Sequence, residues 1–262
     1  MIFFLTRISS SWAVPSQKWF HEYKAKELIT TKPSPYPVIS DHFIQTLQDV
    51  VPQRTLAFFS SQLTSHMKNC KESYVLQHSS DFPLPSQNET EKLFAQSLFA
   101  IETIHCIPNR TPEEVRQQYH STEFRIDIMP GVSSFSMQAL TEIDIPQTKR
   151  QISCTTTEGM TGITLPSSYC MEHLMWSDPN TSTFVELASL YSNNRSTELQ
   201  PIYFRQESLL FSKYNGTQGK GTVIYRYTLT RSMDLGRTSI FFLDKTLYYS
   251  HHRIREGLLL SP

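Results

Sequence analysis

Residues 201–230, PIYFRQESLLFSKYNGTQGKGTVIYRYTLT, decide the fold class. Two runs rich in β-branched and aromatic residues, Pro201 to Phe211 and Thr222 to Thr230, flank a connection that contains Gly216, Gly219 and Gly221. Branched and aromatic side chains suit a pleated surface, and glycine supplies the backbone freedom of a tight turn. The stretch predicts a β-hairpin. Its turn, Gly216-Thr217-Gln218-Gly219-Lys220-Gly221-Thr222, has the composition of a phosphate loop. Such a loop needs Ser or Thr directly after Gly-Lys and then a helix whose amides face phosphate. Here Gly221 follows Lys220 and a strand follows that, so the hairpin stands.

Downstream, Thr238 to Leu243 and Leu247 to Tyr249 read as further strands. Upstream, Glu123 to Met129 alternates Phe124, Ile126 and Ile128 as a half-buried strand would. Before Tyr119 the chain reads as helical. Ser16 to Leu28 is a short amphipathic segment, and Lys32-Pro33-Ser34-Pro35-Tyr36-Pro37 breaks it. Ser40 and Asp41 can cap a helix carrying Phe43, Ile44, Leu47 and Val51, with Pro52 expected to close it. Arg54 to Met67 predicts another. From Asn88 or Thr90, the spacing of Leu93, Phe94, Leu98, Ile101 and Ile104 predicts a long helix. Thr111-Pro112-Glu113-Glu114 is a capping box with proline at the first helical position, predicting a helix to about Tyr119. The expected fold class is α+β: a helical N-terminal layer packed on a mostly antiparallel sheet in the C-terminal half. Residues 1–37 form a separate N-terminal segment, and 38–262 one domain, helical over 38–119 and strand-rich over 120–262.

The chain has 262 residues, 39% of them hydrophobic, enough to enclose a core. Lys and Arg number 24 against 24 Asp and Glu, a balance that argues against nucleic acid as the main partner. Only 8 glycines lowers the weight of dinucleotide-binding folds. Cys70, Cys106, Cys154 and Cys170 form no C-x-x-C pair and read as reduced thiols of a cytosolic protein, although an even number also allows two bridges in an oxidising compartment. Asn88, Asn109, Asn180, Asn194 and Asn215 lie in N-x-[ST] sequons, which matter only in a secretory lumen. No window approaches the ~18 apolar residues of a membrane span. The expected location is cytoplasmic, or secreted into a host cell if the protein is an effector. Residues 1–21 carry Arg7, Lys18 and His21 with no acid, a composition that also suits organelle targeting.

Three motifs bear on chemistry. They are Phe124-Arg125-Ile126-Asp127 ahead of Pro130, Asn180-Thr181-Ser182-Thr183-Phe184, and Arg205-Gln206-Glu207-Ser208. Together they resemble the toxin-type mono-ADP-ribosyltransferases, whose elements are an arginine strand, a Ser-Thr-Ser strand and Glu-x-Glu. The resemblance implies that Arg125 and Thr183 bind NAD as co-substrate and that Ser182 braces the nicotinamide side. Glu207 would then stabilise the developing cation on the way to a protein substrate. The chain departs from the pattern in its Thr-Ser-Thr order and in having one acid in the third motif. Tyr225-Arg226-Tyr227 is a second arginine strand, but only 36 residues follow Arg226, too few for the rest of such a domain.

A further set is Cys170 with His120 and Glu142 or Asp144. It resembles in order the cysteine proteases and acetyltransferases of bacterial effectors, although Tyr169 and Met171 replace the acid and glycine that flank the cysteine there. That set implies a protease or acyltransferase with Cys170 as nucleophile. The remaining class is a non-catalytic interaction or scaffold protein whose partner face lies on the sheet. No metal-ligand pattern is present.

Overall fold

The computed structural model describes residues 40–78, 88–129, 131–140, 147–158, 167–193, 202–217, 219–232 and 237–260. The expected helix over 16–28, Glu142 and Asp144 lie outside them.

Helix α1 (Asp41–Ser61) starts where expected, with the Ser40 hydroxyl accepting the Phe43 amide at 3.2 Å. It continues through Pro52. Proline costs one backbone bond, whereas Val51, Phe58 and Phe59 on either side of it are buried against the sheet, and that packing outweighs the break. A short α2 (Leu63–Lys68) and strand β1 (Ser73–His78) follow. Helix α3 (Glu89–Gln96) is capped by Asn88, but it stops well before Ile104. Residues 99–108 form β2 (Phe99–Pro108) instead. Ile101 and Ile104 sit at helical spacing, yet in a strand they point to opposite faces, and both faces here are covered.

Helix α4 (Pro112–Tyr119) carries the expected capping box, with Thr111 N–H donating to Glu114 Oε2 at 2.8 Å. The expected strand over 123–129 is corrected to a helix, α5 (Thr122–Ile128), capped by Ser121, whose hydroxyl accepts the Phe124 amide at 3.1 Å. Strands β3 (Val132–Ala139), β4 (Thr148–Thr157), β5 (Ser167–Asp178), β6 (Thr183–Asn193), β7 (Ile202–Gly216) and β8 (Gly219–Ser232) come next. The chain closes with α6 (Arg237–Leu260), which replaces the two strands expected over 238–249.

The eight strands form one antiparallel sheet in the order β1-β2-β8-β7-β6-β5-β4-β3. The hairpin read from residues 201–230 is its centre, with Gly216 opposite Gly219. A Cβ on Gly216 would lie 1.4 Å from the Lys68 carbonyl oxygen, so only glycine lets the turn meet the end of α2. One face of the sheet packs on α1 to α3 through Val223, Tyr225, Leu210 and Leu187, with Phe58 stacked on Tyr225 at 3.9 Å between ring centres. The other face packs on α4, α5 and α6 through Leu209, Phe211 and Ile224. The structure is α+β, but helices cover both faces, and the longest closes the chain.

All four cysteines are paired, Cys70 with Cys106 and Cys154 with Cys170. The expectation of reduced thiols is corrected. Pairing depends on which strands lie side by side, and β4 sets Cys154 directly opposite Cys170 on β5.

Candidate functional site

A cavity of about 210 Å³ lies between α6 and the β1-β2-β8-β7 part of the sheet. Its shape follows from two periodicities. Phe99, Ile101, Thr103 and His105 are alternate residues of β2 and share one face. Leu247, His251 and Ile254 recur at helical spacing along α6 and look back at them. The walls are apolar at Phe99, Ile101, Leu247 and Ile254, while Arg226 and Arg205 reach the cavity from β8 and β7.

The two arginines converge on one carboxylate. Arg226 donates to Glu207 Oε2 at 2.7 Å, Arg205 donates to the same oxygen at 3.2 Å, and the Thr228 hydroxyl donates to it at 3.1 Å. Burial would raise the Glu207 carboxyl, but Arg226, Arg205 and Arg125 outweigh it and hold it well below the usual carboxylate range. Burial likewise works against charge on Arg226, and Glu207 holds that guanidinium above its ordinary value.

Beside Arg226, the His105 and His251 rings stack at 4.2 Å between centres, 24° from parallel. Both are buried, and the Nδ1 of each has no hydrogen-bond partner among the described residues. Burial first, and then each other and the cations Arg226 and Arg255, push His105 well below the ordinary imidazole value. Burial, His252, Arg226 and Arg255 lower His251 to about 4.

A second polar cluster lies farther along the same face, under α4. His120 Nε2 is 2.9 Å from Glu186, and His173 Nε2 is 2.7 Å from the Ser153 hydroxyl. A serine beside a histidine is half of a nucleophile pair, but Glu186 engages His120 and leaves His173 Nδ1 without a partner. Among the described residues no acid bonds the imidazole beside the serine, and the pair is buried. Its geometry is that of a structural network. Among the described residues no cluster of three His, Cys, Asp or Glu side chains could hold a metal.

The residues singled out from the sequence are scattered. Arg125 lies on α5, donates to the Tyr119 carbonyl at 2.8 Å and sits over the Tyr119 ring at 4.3 Å. Glu207 is on the inner face of β7, close enough to feel the Arg125 charge. Ser182 lies in the β5–β6 turn with φ of 51°. Thr183 meets Ser212 at 3.2 Å on the opposite face of the sheet from Glu207. His120 pairs with Glu186. The Cys170 sulfur is bonded to Cys154, so no thiol remains there to attack a substrate. Of the cavity residues, His105 was missed, and Arg226 was weighed as a second arginine strand and set aside. The available signal was an arginine inside Val223-Ile224-Tyr225-Arg226-Tyr227, a run otherwise apolar on both faces.

No protein-family model and no curated protein matches the chain. Among solved structures it is similar to human StAR-related lipid transfer protein 5, at 13% identity and a TM-score of 0.45, covering 80% of this chain and 97% of that one. It is also similar to the lipid transfer and protein localization domain of human StarD13, at 10% identity and TM-score 0.46, covering 86% and 100%. A STAR-related lipid transfer protein from Xanthomonas axonopodis aligns at 10% identity and TM-score 0.43, covering 62% and 85%. These are lipid-transfer domains, not ADP-ribosyltransferases. The transferase reading is corrected: the arginine expected on a strand is on a helix, and the sheet separates Thr183 from Glu207. NAD as co-substrate belongs to that reading alone.

Proposed function

We propose that this protein binds a small, lipid-like amphipathic molecule in the cavity between α6 and the sheet. The observation that carries the reading is the cavity itself, which has apolar walls at Phe99, Ile101, Leu247 and Ile254 and a charged inner end at Arg226. Ligand sites generally combine a mostly apolar lining with a few placed polar groups. The volume of about 210 Å³ suits a short alkyl chain with a compact head. Among the described residues no helix is long and apolar enough to cross a membrane.

The test uses an octyl-chain ligand and a filled cavity. Titration calorimetry of the purified full chain should show saturable, one-to-one uptake of an octyl amphipath. Ile101→Trp places a larger side chain in the wall and should abolish uptake while leaving the thermal transition cooperative. Uptake undiminished in Ile101→Trp would place the ligand elsewhere.

A further inference from the structure

Two guanidinium groups meeting one carboxylate leave the charged end of the cavity with a surplus of positive charge. Buried ionic groups are normally balanced, because an uncompensated charge in a low-dielectric interior is costly. Three further observations mark the same place as unfinished. Among the described residues, Arg205 Nε is buried with no hydrogen-bond partner, although its side chain reaches both the cavity and Glu207. The Nδ1 atoms of His105 and His251 are buried and equally without partners. Cations act on both imidazoles, Arg226 on β8 and Arg255 on α6, and they add to burial in driving the proton off. Glu72 takes up the Arg255 guanidinium from the far side, which leaves Arg226 and Arg205 as the cations that line the cavity.

Resting on the amphipath reading above, we propose that the ligand's head is an anionic oxygen group, a carboxylate or a phosphate monoester. It is held by Arg205, Arg226, His105 and His251, with its chain against Phe99, Ile101 and Leu247. Arginine suits such a head, because its planar fork presents parallel N–H donors to two oxygens. One anion would complete the surplus guanidinium and give a hydrogen-bonding partner to nitrogen atoms that have none. A cationic head would meet Arg226 and Arg205, and an alcohol would leave the surplus charge in place. The chain alone contributes by transfer out of water, so it should be common to every octyl compound.

The experiment is calorimetric titration of the full chain with a matched octyl set, namely octanoate, octyl phosphate, octanol and octylammonium. At least one of the two anions is expected to bind about tenfold or more tighter than octanol, the scale of a hydrogen bond to a charged group. Which anion leads separates the carboxylate from the phosphate source. Octylammonium should bind weakest. Arg205→Met and His251→Leu should each reduce the preference for the anion over octanol to less than about threefold. Octanol binding as tightly as both anions would overturn the head-group assignment and leave the cavity reading intact. So would an anion preference that survives both variants. Failure of the whole set to bind would overturn the cavity reading and this inference with it.

Discussion

Arg226 shows how a single residue changes meaning once its neighbours are known. On the sequence it is one cation in a chain of zero net charge, followed by 36 residues, too few for the rest of a transferase domain. In the fold 24 of those residues, Arg237–Leu260, form α6, which returns directly over it. His173 carries a consequence of the same kind. Burial, offset in part by Glu186, lowers its imidazole from 6.5 to about 4. The folded protein therefore binds that proton less readily than the unfolded chain. Stability from this group is fully present above about pH 6.5, is lost as pH falls through the window to about 4, and is level below it. His105 and His251 act in the same direction. For His173 alone the loss amounts to about 3 kcal/mol. Urea unfolding at steps between pH 7.5 and pH 4 should show a falling midpoint. A flat profile from pH 7 to pH 5 would mean that these imidazoles are not held neutral.

Elements were misread where a short apolar pattern satisfies two periods. Phe124 and Ile128 are two alternations apart in a strand and one turn apart in a helix, so the spacing alone does not choose. The choice is made by the Ser121 cap and by α6, which offers Gly257 to both side chains. A Cβ at Gly257 would lie 2.8 Å from Ile128 Cγ1 and 3.0 Å from the Phe124 ring. This glycine sets how closely α6 approaches α5, at the end of the helix where Leu258 is buried in the core. Gly257→Val should destabilise the protein by about 1–3 kcal/mol by overpacking this contact, despite valine's better helix propensity. Chemical denaturation of the variant beside the wild type measures it. An unchanged or raised midpoint would mean that α6 does not bear on α5 here. The same ambiguity accounts for β2, whose isoleucines fit a helical stripe until β1 and β8 take up its backbone on both edges.

At the scale of the whole molecule, two cross-links tie the sheet to itself and to the helical layer. Cys70 follows α2 and bonds to β2, and Cys154 joins β4 to β5. The pairs are 36 and 16 residues apart, and chain entropy assigns each a contribution of up to about 3–4 kcal/mol. Dithiothreitol should therefore lower the melting temperature by about 10 °C or more. Native protein should take up no alkylating label before reduction. Labelling of four thiols without reductant, or an unchanged transition, would show that the bridges do not form.

Sequence alone determined the central hairpin, the Ser40 cap, the Thr111 capping box and the α+β class, because turns and caps are decided within a few residues of themselves. Only the tertiary structure decided the disulfide pairs, the helical state of 122–128 and 237–260, and the cavity. Tyr74, His105, Arg226 and His251 come from four elements, and they meet only when β1, β2 and β8 are in register and α6 lies across them. Burial and charge balance, which make those residues a site, are properties of that meeting and have no counterpart in local spacing.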